Sequence, residues 1–195
     1  MRLGVMSDIH CNGSAMTRAL GELEGQVDAS LVAGDAVLQY RFSDEVIAAV
    51  RAHRMHYVVG NHELALLANA SRALADDRAD PGNVAFMAQA GARVDLGVCG
   101  KHLVMVHASP FPPFSDYLYE GSRALARCAA LDADILVVGH THVPMAKRVG
   151  DVLVVNPGSL GQASDPDHPG MVSYAILDAE AEAVTVHRFP DPQLA

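Results

Sequence analysis

The stretch Val137-Val138-Gly139-His140-Thr141-His142 decides how this chain reads. An apolar run from Ile135 to Val138 stops at a glycine, and two histidines follow with one residue between them. Neutral imidazole is the commonest nitrogen ligand for divalent transition metals. One such pair is a weak signal, because polar loops often carry histidine. The pattern recurs, however. Met6-Ser7-Asp8-Ile9-His10, Val32-Ala33-Gly34-Asp35, Val58-Val59-Gly60-Asn61-His62 and Val104-Met105-Val106-His107 each put His, Asp or Asn just past a strand-like apolar run. Five strand ends that deliver donors to one edge describe a metal cluster.

Working outward, the segments before Asn61 alternate strand and helix. Leu3 to Met6 reads as a buried strand, and Ser14 is placed to cap a helix with Met16, Leu20 and Leu23 on its apolar face. Ala29 to Ala33 is the next strand, Asp44 is placed to cap a helix carrying Val46, Ile47 and Val50, and His56 to Val59 is the third strand. That order predicts a parallel α/β beginning. Glu63 to about Ala75 is Leu- and Ala-rich and predicts a helix, which Asp80-Pro81-Gly82-Asn83 breaks. Arg93 to Val98 and His102 to Val106 suit a hairpin, and a helix around Leu125, Cys128 and Leu131 leads into the strand before His140. Met145 to Val149 with Val152 to Val155, and Val172 to Leu177 with Ala183 to Phe189, form two more hairpins. Hairpins appended to a parallel beginning predict a four-layer α/β/β/α sandwich: two mixed sheets face to face with helices outside. No repeat or linker divides residues 1–195, so one domain is expected.

Composition narrows the function. The net charge of −9 disfavours non-specific nucleic-acid binding, which needs a basic footprint. No apolar run reaches the roughly 18 residues of a membrane span, and Met1-Arg2 leads almost directly into a strand, so neither a membrane partner nor a secretory leader is expected. Cys11, Cys99 and Cys128 are three in number and widely spaced, which suits a reducing cytoplasm without structural disulfides.

Asp8-x-His10, Gly34-Asp35, Gly60-Asn61-His62, His107 and Gly139-His140-Thr141-His142 stand in the order of the calcineurin-like metallophosphoesterase superfamily. Asp8-Ile9-His10-Cys11-Asn12, His107-Ala108-Ser109-Pro110 and Asn156-Pro157-Gly158-Ser159 resemble its small, single-domain bacterial phosphodiesterase branch. The resemblance implies that Asp8, His10, Asp35 and His142 bind one metal. It implies that Asp35, Asn61, His107 and His140 bind a second, with Asp35 bridging. It makes His62 a non-ligand that contacts the phosphate or protonates the leaving oxygen.

The donor chemistry agrees. Mixed oxygen and nitrogen donors suit two divalent transition metals, Mn first and Fe, Ni, Co or Zn as alternatives, and differ from a thiolate zinc site. A hydroxide bridging two metals is a nucleophile for in-line attack on phosphorus. The expected reaction is therefore hydrolysis of a small phosphoester or nucleotide, a diester first. A phosphomonoesterase or dinucleoside polyphosphate hydrolase is the alternative on the same residues, and a non-catalytic metal-binding scaffold is the rival from another class.

Weaker features stay open. Asn12 is a candidate substrate contact, with holding its loop as the alternative. Phe111, Phe114, Tyr117 and Tyr119 either pack their loop or stack on an aryl or nucleobase group. Asn156-Pro157-Gly158-Ser159 either lines the site with amides or only shapes the chain. Cys11 and Ser164 stand where relatives usually have glycine and arginine, and no Asp-Arg-Gly element supplies an acidic partner for His62.

Overall fold

A computed structural model describes residues 1–68 and 79–193. Ten strands form two five-stranded sheets. The first runs in the order β10-β9-β1-β2-β3, from β1 (Arg2–Met6), β2 (Ala29–Val32), β3 (His56–Tyr57), β9 (Met171–Asp178) and β10 (Ala183–Pro190). The second runs β4-β5-β6-β8-β7, from β4 (Arg93–Val98), β5 (Lys101–Val106), β6 (Ile135–Val137), β7 (Met145–Val149) and β8 (Val152–Asn156). Both sheets are mixed. β1, β2 and β3 are parallel and β9 and β10 close that edge antiparallel, while β5, β6 and β8 are parallel between antiparallel β4 and β7.

Side-chain alternation sets the layers, because successive residues of a strand face opposite sides. Leu3 and Val5 of β1 point between the sheets, where they meet Leu31, Leu103, Met105, Ile135, Val137, Val155 and Leu177. Met6, Val32, Tyr57 and Tyr174 point outward, under α1 (Gly13–Leu23), α2 (Asp44–Ala52) and α4 (Pro81–Gln89). On the far side, Val104, Leu136 and Val154 are covered by Leu125 of α5 (Arg123–Ala126) and Cys128 of the 3₁₀ turn Arg127–Ala130. The result is the four-layer sandwich. Each fully buried Leu or Val contributes roughly 1.5–3 kcal/mol. Such strands are a stiff platform for strained loops at their ends.

Helix starts differ from the sequence reading. Asn12, not Ser14, caps α1, its Oδ1 accepting from Ala15 N at 3.1 Å. Ser43, not Asp44, caps α2. In both places adjacent residues are competent caps, and the turn geometry selects between them. Asp80-Pro81 begins a helix rather than breaking one: Asp80 Oδ1 accepts from Asn83 N at 2.9 Å, and Pro81 occupies the first turn, where its missing N–H costs nothing. The third strand stops at Tyr57, although Val58 N still donates to Val32 O. The helix expected from Glu63 onward is α3 (Asn61–Ala68), and the remainder of that expectation lies outside the described residues.

Candidate metal centre

β1, β2 and β3 of one sheet and β5 and β6 of the other end at one rim, and the loops that leave them carry the chemistry. These loops turn sharply. Asp8, His10, Asp35, His140 and His142 all hold positive φ, between 48° and 68°. Non-glycine residues avoid this left-handed region, so its concentration here marks strain supported by the platform beneath. Two glycines permit close approach. A Cβ on Gly139 would collide with Ser7 Oγ and Asp8 Oδ2, and one on Gly60 with Asp35 Oδ1.

The residues expected as ligands fall into convergent sets. Donor atoms of Asp8, His10 and His142 lie within 4.8 Å of one another, as do those of Asp35, His107 and His140, and those of His10, Asp35 and His62. Asp35 therefore has donors on both sides of it. Asn61 Oδ1 sits 3.0 Å from His107 Nε2 and joins the second set. Pairs of ring nitrogens face each other at 3.2 Å, His10 Nε2 with His142 Nε2 and His107 Nε2 with His140 Nδ1.

Whether these residues fit a metal is tested by Asp8. Its Oδ2 accepts from Ser7 Oγ at 2.6 Å and from His140 N at 2.9 Å, which fixes the carboxylate plane. Its Oδ1 is buried and accepts no hydrogen bond, although His142 Nε2 lies at 3.2 Å and His10 Nε2 at 3.9 Å. A buried carboxylate oxygen left unpaired is costly, and a cation among these donors satisfies it. The fit is good.

Neighbouring groups prepare the donors. His107 Nδ1 lies 2.8 Å from Ala33 O, so Nδ1–H donates to that carbonyl and Nε2 is turned to the centre. Burial lowers the basicity of His107, but Asp35, 3.2 Å away, and Asp8 outweigh it and raise its pKa to about 9. Burial alone would raise Asp35, yet His107 and the His62 amide bring it down to about 2. Burial drives His10 down to about 4 against the pull of Asp8 and Asp35, and burial followed by the nearby His107 charge also lowers His140. At neutral pH His10 and His140 are thus ready nitrogen donors, and His107 must shed a proton to become one.

His62 stands at the rim of this group, its ring 4.7 Å from that of His10 and its Nε2 3.8 Å from Asp35 Oδ2. Its Nδ1 accepts a hydrogen bond from Gln39 N at 3.1 Å. The ring is therefore held with its hydrogen on Nε2, which faces Asp35 and the centre. The sequence left the acidic partner of His62 unidentified; Nδ1 meets a backbone amide instead of an acid, and the carboxylate beside the ring is Asp35, 3.8 Å from Nε2.

Asn12 is not brought to the centre. It is fully buried, and besides capping α1 it donates through Nδ2 to Leu160 O and Asp191 Oδ1. Asn156 holds the His140 loop by donating to Gly139 O at 2.7 Å and Thr141 Oγ1 at 3.0 Å, and Ser159 Oγ donates to Asp8 O at 2.7 Å. That turn braces the site from behind. Cys11 is buried with its thiol on Arg41 O.

The residue sequence reasoning passed over is Glu63. Its carboxylate is wholly buried and accepts three backbone amides, from Asp35 at 3.0 Å, Val37 at 3.1 Å and Gly60 at 2.7 Å. It pins the Asp35 loop to the start of α3. Burial and the Asp35 charge push Glu63 up to about 7 despite those amides. The available signal was an acid in an apolar helix, directly after Gly60-Asn61-His62.

A family model described as the calcineurin-like phosphoesterase superfamily domain matches residues 1–182. A metallophosphoesterase structure from Sphaerobacter thermophilus superposes with a TM-score of 0.79 at 27% identity, covering 98% of this chain and 89% of that one. An uncharacterized protein of Methanocaldococcus jannaschii is 23% identical over 224 residues, covering 95% of this chain and 86% of its own. The phosphodiesterase YfcE of Escherichia coli is 41% identical over 51 residues, 26% of each chain.

Proposed function

Because the chain belongs to the calcineurin-like phosphoesterase superfamily and is a metal-dependent phosphoester hydrolase, we propose that residues 1–195 act as one domain that cleaves small phosphodiesters at a dinuclear centre. The observation that carries the dinuclear reading is the position of Asp35. Its carboxylate groups with His10 on one side and with His107 and His140 on the other. Asp8, His10, Asp35 and His142 would hold one divalent ion, and Asp35, Asn61, His107 and His140 the other. When bound, two such ions, Mn first, supply Lewis-acid charge for the phosphate and lower the pKa of water.

The chain's own groups do the rest. Ser7 and the His140 amide orient Asp8, Ala33 O orients His107, and Glu63 and the His62 amide orient Asp35. His62, held by Gln39 N with hydrogen on Nε2, directs that N–H as a hydrogen-bond donor at a phosphate or leaving oxygen and stabilises the charge there. Partial identity with a protein named as a phosphodiesterase supports the diester preference.

The test is a panel of purified, metal-reconstituted protein against diesters, monoesters and dinucleoside polyphosphates. Diesters should give the highest kcat/KM. Preference for a monoester or a polyphosphate would replace the diester reading, and flat results with every metal would remove it.

A further inference from the structure

Beside the expected ligands lie two unlike clefts, and the difference between them bears on substrate. One, of about 320 Å³, is polar and open, with Asp35, His62, Tyr117, His142 and Ser164 in its walls. The other, of about 460 Å³, is lined by Val59, Leu64, Val106, Ala108, Pro110 and Phe114. Asn61 and His140 face both. A phosphate held at those residues would direct one substituent into each cleft.

We propose that the apolar pocket receives an aryl ester arm, making the substrate a mixed diester with one hydrocarbon-ring substituent; this rests on the phosphodiesterase reading above. Its volume lies within the range of small-ligand sites. Among the described residues six large hydrophobic side chains are exposed, and four of them, Leu64, Phe114, Tyr117 and Tyr119, line these two clefts. Exposed apolar surface gathered around a reaction centre marks binding rather than folding.

Three polar side chains line the pocket besides the expected ligands, Arg93, Ser109 and Ser115, and the first two are already engaged. The Arg93 guanidinium is clamped by Asp95 through two contacts of 2.7 Å, and Ser109 Oγ is satisfied within its loop by Phe111 N and O. A nucleobase would bury hydrogen-bonding edges against walls with few partners to offer, a loss an aryl hydrocarbon does not incur. The ring of Phe114, 63% exposed at the pocket, offers a stacking face that a flat ring uses better than an alkyl chain.

The experiment keeps nitrophenol as the leaving group and varies the retained arm among methyl, naphthyl, thymidine and dodecyl, with rates divided by those of the uncatalysed reactions. Calorimetry of naphthyl phosphate against methyl phosphate on metal-loaded protein adds a readout that needs no turnover. The naphthyl arm should exceed methyl by roughly tenfold or more in kcat/KM and in affinity. That ratio should collapse in the double variant Leu64→Ser with Phe114→Ala, whose exposed positions spare the core and whose metal content is checked directly. Equal methyl and naphthyl values, or a ratio that survives the double variant, overturn the proposal. A thymidine arm that beats naphthyl overturns it in favour of a nucleobase, and a dodecyl arm that beats naphthyl overturns it in favour of an alkyl chain. Turnover of all diesters without aryl preference sinks the pocket alone. Preferential naphthyl phosphate binding without turnover of any diester sinks the phosphodiesterase reading and leaves the pocket as an aryl site.

Discussion

Removing the Glu63 carboxylate should damage the centre without touching an expected ligand. Three buried amides, those of Asp35, Val37 and Gly60, donate to it. Each buried donor left unpaired costs about 1–3 kcal/mol, so Glu63→Ala forfeits at least about 3 kcal/mol. Glu63→Gln separates geometry from charge. Its carbonyl can take the place of Oε2 and keep the Asp35 and Gly60 bonds, while its NH2 must face the Val37 amide. One donor is then lost, again about 1–3 kcal/mol. For a chain of this size the glutamine variant should melt roughly 2–12 °C lower, and the alanine variant lower still. Denaturant titration of metal-stripped protein reads the stability order, and elemental analysis after dialysis against limiting metal reads affinity. Asp35 sits at φ 51°, so a loosened loop should relax away from its donor geometry and weaken metal uptake in the same order. Two variants within about 0.5 kcal/mol of wild type, or an alanine variant with wild-type metal affinity, would refute the positioning argument.

Three further expectations follow from the centre. Asp35→Ala should weaken both metal positions and His142→Ala mainly one, with wild type near two ions per chain by elemental analysis; a wild type that never exceeds one contradicts the dinuclear proposal. In metal-stripped protein His107 is raised from 6.5 to about 9, so its stabilisation, at most about 3 kcal/mol, is complete below pH 6.5 and fades as pH rises through 9. Metal must displace that proton, so loading at neutral pH should release close to one proton per chain from His107, and calorimetry in buffers of different ionisation enthalpy measures it. His62→Asn should retain its metals and lose roughly 10²–10³-fold on alkyl and nitrophenyl diesters alike, because a ring whose Nδ1 accepts from Gln39 N stabilises charge without giving up its proton; a much larger loss on the alkyl diester assigns proton donation to a ring that has left Gln39, and loss of metal makes it a ligand or a prop.

Much of the fold was legible because strands betray themselves by alternation and by where they stop. Leu3-Gly4-Val5-Met6 and Ile135-Leu136-Val137 are apolar on both faces, as strands between two packed layers must be. The order of strands within each sheet was not legible, since β9 reaches β1 across most of the chain length and no local pattern encodes that pairing. Helix α4 was misread because Asp-Pro-Gly-Asn carries turn chemistry and cap chemistry at once. At the centre, residue types at strand ends identified the candidates, whereas burial decided Asn12: the same amide that suits a phosphate is spent on a helix cap and two internal acceptors. Glu63 escaped because its three partners are backbone amides, which every sequence has and none displays.

The left-handed turns at Asp8, His10, Asp35, His140 and His142 also bear on how such a site could decay. Asp and His tolerate that conformation better than most side chains, yet each still gives up as much as about 1 kcal/mol relative to glycine. Selection for metal binding opposes a standing preference for glycine at all five places. Once catalysis ceased to matter, drift toward glycine or asparagine would be rewarded by a sturdier fold, so decay would be fast and would take the ligands first. A descendant that still carried Asp and His at all five turns would therefore be one whose centre remained in use.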